Sequence, residues 1–261
     1  MDTRRTEALK SFDKLLDIMD ELREKCPWDR VQTFESLRNL TVEEVYELSA
    51  AVFDKDMDNI KKELGDLLLH IVFYAKLGEE EHSFDIKDVI DALNEKLIYR
   101  HPHVFGDTAV ADAKEVEENW ERLKLKEKNG NKSVLSGIPE SLPACIKAFR
   151  IQEKARGVGF DWDRKEQVWD KVKEEITEFS AEIEHQNKEQ MEIEFGDVLF
   201  ALINAARLYG IHPEDALEKT NRKFIKRFNY LEQKTIKKGL DLKNMSLDDM
   251  EKIWQEAKNI E

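Results

Sequence analysis

Cysteine is nearly absent from this 261-residue chain, and its placement excludes a disulfide framework. Cys26 and Cys145 lie far apart, and neither belongs to a CxxC pair of the kind that binds zinc. Glycine and proline are scarce as well, ten and five, which argues against a loop-rich fold. No stretch shows sustained period-two alternation, so strands are not expected. The longest apolar runs, Leu67–Leu77 and Val198–Leu208, are about half the length that spans a bilayer. The N-terminal MDTRRTEALKSFDKLL lacks the apolar core of a signal peptide. These absences lead to the expectation of a soluble, cytoplasmic protein with no membrane partner.

What is present is charge. Charged residues make up 38% of the chain and hydrophobic residues 41%, too apolar for disorder and rich in helix formers such as Glu, Lys, Leu and Ala. The net charge is -14. An acidic body repels nucleic-acid phosphates, so no nucleic-acid partner is expected. A phosphate ligand remains admissible where metal ions stand between the two sets of negative charge.

The chain contains one pattern twice. EEVYE at 43–47 matches EEITE at 174–178, and ELGDLL at 63–68 matches EFGDVL at 194–199, offset by 131 residues without a gap. In each copy 16 residues separate the last Glu of the first motif from the first Glu of the second. CPWDR at 26–30 parallels FDWDR at 160–164 after a three-residue shift, and NEKLIYR at 94–100 parallels NRKFIKR at 221–227. NWERLK at 119–124 parallels IWQEAK at 253–258. The expected organisation is a first unit at 1–126, a linker at 127–143 and a second unit at 144–261. The linker region holds two of the glycines and two of the prolines.

Each copy reads as helical, giving an all-α fold of two tandem helical bundles. Leu9, Phe12, Leu15, Leu16, Met19 and Leu22 share one face of a helix over 6–25. Thr41 with Glu44 reads as a capping box at a helix start. Asp85 or Ser83 is the candidate cap of a helix running to about Tyr99. The stretch Leu64–Leu77 is apolar almost all round, which suits burial in a bundle or at a homodimer interface. Trp28 and Trp162 read as loop anchors in the core, with a pocket border as the alternative. His101 and His103 flank a proline and read as a turn rather than a metal site.

The acidic motifs carry the chemistry. Glu175 and Glu178 share a helix face, as do Glu174 and Glu178, and Glu194 and Asp197 lie three apart on the next helix. An antiparallel pair of helices brings these groups together. Oxygen-only ligands suit a hard cation, chiefly Mg²⁺ with Mn²⁺ as a substitute, and the lack of His or Cys in the motifs argues against zinc. A single ExxE pair in a chain with 56 acidic residues is ordinarily a solvated face. Its recurrence at fixed spacing and its place in an apolar helix favour a metal site. The alternative is a pair of favourable first-turn charges near a helix N-terminus.

EExxE followed by ExxD in each copy, with CPWD, ELGDLL, RHPHVFGD, GFDW and KFxxRF in that order along the chain, resembles the MazG family of nucleoside triphosphate pyrophosphohydrolases, and the resemblance covers nearly the whole chain. It implies a homodimer and Mg²⁺-dependent hydrolysis between the α- and β-phosphates, giving nucleoside monophosphate and pyrophosphate. It implies Glu175, Glu178, Glu194 and Asp197 as metal ligands, with Glu44, Glu47, Glu63 and Asp66 as their first-copy counterparts. Lys171, Lys223 and Arg227 are implied as phosphate contacts, and Trp254 as a neighbour of the nucleoside. Lys96 and Arg100 match the last two cations in the first copy, and Trp120 matches Trp254. Glu174 or Glu175 is the candidate for orienting the attacking water. Lys171 faces Leu40 in the alignment, so the second copy is expected to carry most of the activity. The rivals are a narrower nucleotide or alarmone pyrophosphatase and a non-catalytic metal-binding helical module.

Overall fold

A computed structural model describes residues 3–110, 112, 115, 116, 119, 120, 123, 133–237, 239 and 241–260. Among these residues the chain forms ten α-helices and no strand. It divides into two compact units, Met1–Ala109 and Val110–Glu261. Part of the expected linker, 127–132, lies outside the described residues, and Trp120 falls beyond the division at Ala109.

The first unit contains α1 (Thr3–Lys25), α2 (Phe34–Asp54), α3 (Met57–Glu80), α4 (Ile86–Arg100) and the single turn α5 (Pro102–Phe105). The helices α2 and α3 form an antiparallel hairpin, and α1 and α4 both pack on α3. Met19, Leu37, Val72, Phe73 and Leu77 are buried together, with Phe12, Leu15, Leu16, Leu40, Leu69 and Tyr74 packed around them. Each fully buried side chain of this size contributes about 1.5–3 kcal/mol.

The second unit contains α6 (Ala144–Arg156), α7 (Val168–His185), α8 (Lys188–Leu208), α9 (Pro213–Lys237) and α10 (Leu247–Ile260). Here α7 and α8 form the hairpin, α6 and α9 pack against α8, and α10 lies on α9. Its buried cluster is smaller in side-chain volume: Val168, Val172, Ala201 and Ala205, with Leu208 against it.

Both hairpins turn in the same way. Lys55 and Gln186 take a left-handed conformation, φ 56° and 55°, and close α2 and α7. The next residues, Asp56 and Asn187, cap α3 and α8 by accepting from the amides of Asn59 and Gln190. Asp85 caps α4, with Asp88 bonding back to it in a capping box.

Three expectations need correction. Thr41 does not begin a helix; it lies inside α2, with its hydroxyl against the Leu37 carbonyl at 3.0 Å. The helix starts about two turns earlier, where Thr33 and Ser36 form the capping box at 3.3 and 2.9 Å. Burial of Leu37 extends the helix N-terminally and overrides the local signal at Thr41. Glu194 and Asp197 are not first-turn charges, because α8 begins at Lys188. Trp28 and Trp162 are not core anchors: they are 54% and 39% exposed.

Candidate metal centre and adjoining cavity

In each hairpin three carboxylates converge. Glu44, Glu63 and Asp66 in the first unit, and Glu175, Glu194 and Asp197 in the second, each offer an oxygen within 4.8 Å of the others. The convergence follows from helix geometry. Residues three apart share a face, and the two-residue turn sets that face opposite the acidic turn of the preceding helix. Glu47 and Glu178 stand one turn further along, exposed and outside the converging sets.

A lysine on the same helix is paired with the buried carboxylate of each set, on the second helix of the first hairpin and on the first helix of the second. In the first unit Glu63 is buried, and Lys62 Nζ on α3 lies 2.9 Å from its Oε1 and 3.8 Å from Asp66. In the second unit Glu175 is buried, and Lys171 Nζ on α7 lies 2.6 Å from it and 2.9 Å from Glu174. Hydrogen bonds that Lys171 donates to Glu175 and Glu174 raise its pKa, so this side chain stays cationic. One lysine does not neutralise three carboxylates. Burial and the neighbouring Asp66, Glu47 and Glu63 raise the Glu44 pKa above its ordinary value. Burial, Glu175 and Glu174 do the same at Glu178, against the pull of Lys171.

A divalent cation fits this arrangement. The donors are all oxygen, they converge from rigid helices, and they repel one another when ionised. One atom points the same way: Glu63 Oε2 is buried with no hydrogen-bond partner, which is costly unless a cation meets it.

Only the second set adjoins a large cavity among the described pockets. That cavity, 630 Å³, is lined by Lys171, Glu175 and Asp197 and by Phe160, Trp162 and Asn204 among others. Its volume suits a small-molecule ligand. Arg207 braces the wall: Nη1 donates to Asp161 Oδ2 at 3.0 Å, and Nε to Asn204 Oδ1 at 3.0 Å. Trp162 therefore borders the pocket rather than the core.

The cations expected further along the chain do not line this cavity. Lys223 is exposed on α9, and Arg227 lies over the Trp254 ring at 6.0 Å. Trp254 packs at a tilt against Phe224, with centroids 5.0 Å apart and an interplanar angle of 55°. Arg227 lines a separate 270 Å³ hollow with Tyr230 and Gln233. Lys96 and Arg100 lie on α4, which buries no residue. His101 and His103 sit where α4 ends and α5 begins, at the turn expected there. Gln152, Asn204 and Arg207 also line the cavity wall, and no motif in the sequence marks them for it.

The chain matches the MazG nucleotide pyrophosphohydrolase domain twice, over residues 32–105 and 164–231. It is 42% identical over 260 residues to a nucleoside triphosphate pyrophosphohydrolase of Escherichia coli K12, covering 97% of this chain and 99% of that one. It is 44% identical over 250 residues to a nucleoside triphosphate pyrophosphohydrolase/pyrophosphatase MazG of Thermotoga maritima, covering 95% of each. An uncharacterized protein of Bacillus subtilis, YabN, is 47% identical over 256 residues, which are 96% of this chain and 52% of that protein. With the acidic hairpin built twice and both copies matched, the chain belongs to the MazG nucleotide pyrophosphohydrolase family.

Proposed function

We propose that this protein hydrolyses nucleoside triphosphates between the α- and β-phosphates, giving nucleoside monophosphate and pyrophosphate. We further propose that it needs Mg²⁺, accepts all the common bases, and works chiefly through its second unit, at 144–261 beyond a linker at 127–143. The observation that carries this reading is the junction of the carboxylate set Glu175, Glu194 and Asp197 with a cavity large enough for a nucleoside. The names of the Escherichia coli and Thermotoga maritima relatives support the substrate class.

Glu175, Glu194 and Asp197 would hold the cation, and Glu178 lies close enough to feel their charge. Bound there, Mg²⁺ supplies neutralising charge for the triphosphate and acidifies water. Lys171, held cationic by Glu174 and Glu175, stands at the cavity end where phosphate charge builds up. Glu174 or Glu175 would orient the attacking water as general base. Lys223 and Arg227 are four apart on α9 and would meet the departing pyrophosphate, with Trp254 beside them. Lys96 and Arg100 repeat that pair on α4.

The deciding experiment incubates the purified chain with each nucleoside triphosphate and Mg²⁺ and resolves the products. Monophosphate with pyrophosphate is expected, and none after exhaustive chelation. Diphosphate with orthophosphate would refute the bond assignment. A second reading, further cleavage of pyrophosphate to orthophosphate, is favoured by the name of the Thermotoga maritima relative, and the same assay detects it.

We also propose a homodimer. Leu64, Leu68 and Ile71 on α3, and Phe195, Leu199 and Leu202 on α8, are each at least 39% exposed. Gly65 and Gly196 interrupt the same helices, where alanine would be favoured by about 1 kcal/mol. Nothing lies within 4 Å of a Cβ built at either, so the chain's own packing does not demand them. Light scattering should give twice 30.7 kDa at micromolar concentration, and a monomer would reject the proposal. Among the described residues, no helix is long and apolar enough to cross a membrane.

A further inference from the structure

Two carboxamides in the wall of the large cavity are held so that opposite halves are left for a ligand. Gln152, on α6, is 6% exposed and lines the cavity. Its Nε2 donates to the Phe200 carbonyl at 2.8 Å. That bond sets the amide's orientation, since the flipped amide would place two oxygens together. Oε1 is then a buried acceptor with no hydrogen-bond partner. Buried acceptors are nearly always satisfied, so one left open beside a cavity points to a donor on a ligand.

Asn204 lines the same cavity from α8. Its Oδ1 accepts from Arg207, at 3.0 Å from Nε and 2.8 Å from Nη2. Arg207 is fixed in turn by Asp161, and its side chain is 5% exposed. With the oxygen committed, the Asn204 Nδ2 donors are the half that this clamp does not use. Phe160, 82% exposed, and Trp162 add aromatic faces to the same wall.

We propose that Gln152 and Asn204 bind the base of the substrate, with Gln152 Oε1 accepting from a base N–H and Asn204 Nδ2 donating to the acceptor next to it. The proposal rests on the hydrolase reading and adds the residues that hold the base. Each common base carries such a pair on its pairing edge: an amino group beside a ring nitrogen in adenine and cytosine, and a ring N–H beside a carbonyl in guanine and uracil. One acceptor and one donor therefore anchor any of them without choosing between them. The phosphate end, at Lys171, is the same for all.

The test compares nucleoside triphosphates with ribose 5-triphosphate, which has the phosphates and sugar but no base. In Gln152→Met the acceptor is lost and the shape is kept. In Asn204→Asp the oxygen that Arg207 holds is kept and the donors are lost. Each variant should raise KM about tenfold for every nucleotide, with a smaller change in kcat. The advantage of nucleotides over ribose 5-triphosphate should shrink by the same factor. Thermal melting by circular dichroism checks that both variants fold. Unchanged KM values in both variants would overturn the assignment. So would an equal loss on ribose 5-triphosphate, which marks the amides as supports of the wall, and so would a loss confined to one base. A wild-type chain that releases no pyrophosphate from any of these substrates overturns the hydrolase reading and this assignment with it.

Discussion

The two units keep one acidic frame around different interiors. At positions related by the 131-residue offset, Leu37, Leu40, Thr41, His70, Phe73 and Tyr74 of the first unit face Val168, Lys171, Val172, Ala201, Asn204 and Ala205 of the second. In the first unit Leu37 and Phe73 are 1% and 3% exposed, and Tyr74 stacks on Phe34 with centroids 5.8 Å apart. The Thr41 hydroxyl lies 2.8 Å from both His70 Nδ1 and the Tyr74 hydroxyl, closing a small polar network. Burial lowers the His70 pKa against the opposing charge of Asp66, which favours the neutral ring. In the second unit smaller residues line the corresponding seam, and the cavity is there. On the proposed reading the carboxylates are common to both units, and the volume beside them is what sets the second apart.

The sharpest way to break this comparison is to neutralise each cluster in turn. Glu194→Gln with Asp197→Asn should lower pyrophosphate release about a thousandfold, as expected when the electrostatics of phosphoryl transfer are removed. Glu63→Gln with Asp66→Asn should leave most of the rate. Equal losses in two folded variants would put catalysis in both units.

The next test concerns the arginine that braces each interior. Arg207 and Asp161 are 5% and 21% exposed, whereas Arg23 and its partner Glu80 are 11% and 38% exposed. Arg207→Met should cost about 3 kcal/mol, because it strands a half-buried carboxylate. Arg23→Met should cost about 1 kcal/mol, since its partner is better solvated. Burial pushes the Asp161 carboxyl up, but the hydrogen bonds from Arg207 and the Trp162 amide, with the charges of Arg207 and Arg156, together outweigh it and hold the pKa below the ordinary 3.8. A depressed carboxyl stabilises the fold above its unfolded pKa and loses that contribution as pH falls through the folded value. Melting curves of wild type and Arg207→Met should therefore converge in acid below about pH 3.8. A constant gap down to pH 2 would show that the pair contributes by packing alone.

The smallest expected effect comes from filling the hollow unit. Ala201→His copies His70 of the first unit into the cavity wall and should raise KM for nucleotides about tenfold, the scale of overpacking costs. Unaltered KM would mean that the substrate does not enter this cavity.

Much of the frame was legible in the sequence, because helix periodicity alone brings acids three apart onto one face. The recurrence at fixed spacing separated Glu175, Glu194 and Asp197 from the other acidic residues of the chain. Glu47 and Glu178 matched the same pattern, but the converging sets stop one turn short of them. The helix start at Thr33 was missed because Thr41 offers an equally good local box, and only the burial of Leu37 distinguishes the two. The cavity was not legible, since a void is a difference in volume between facing side chains. The contrast of Ala201 and Asn204 with His70 and Phe73 was visible in the aligned copies and was the signal for it.

The turns at Lys55–Asp56 and Gln186–Asn187 have a consequence for how such a chain tolerates changes in length. A residue gained or lost within either hairpin's helices between its acidic motifs would swing one motif about 100° around its helix, out of register with the other. The interval thus acts as a phase lock, and indels belong elsewhere. The chain carries a record of this: its two copies differ by three residues before the acidic motifs, between CPWDR and FDWDR, and by none within them.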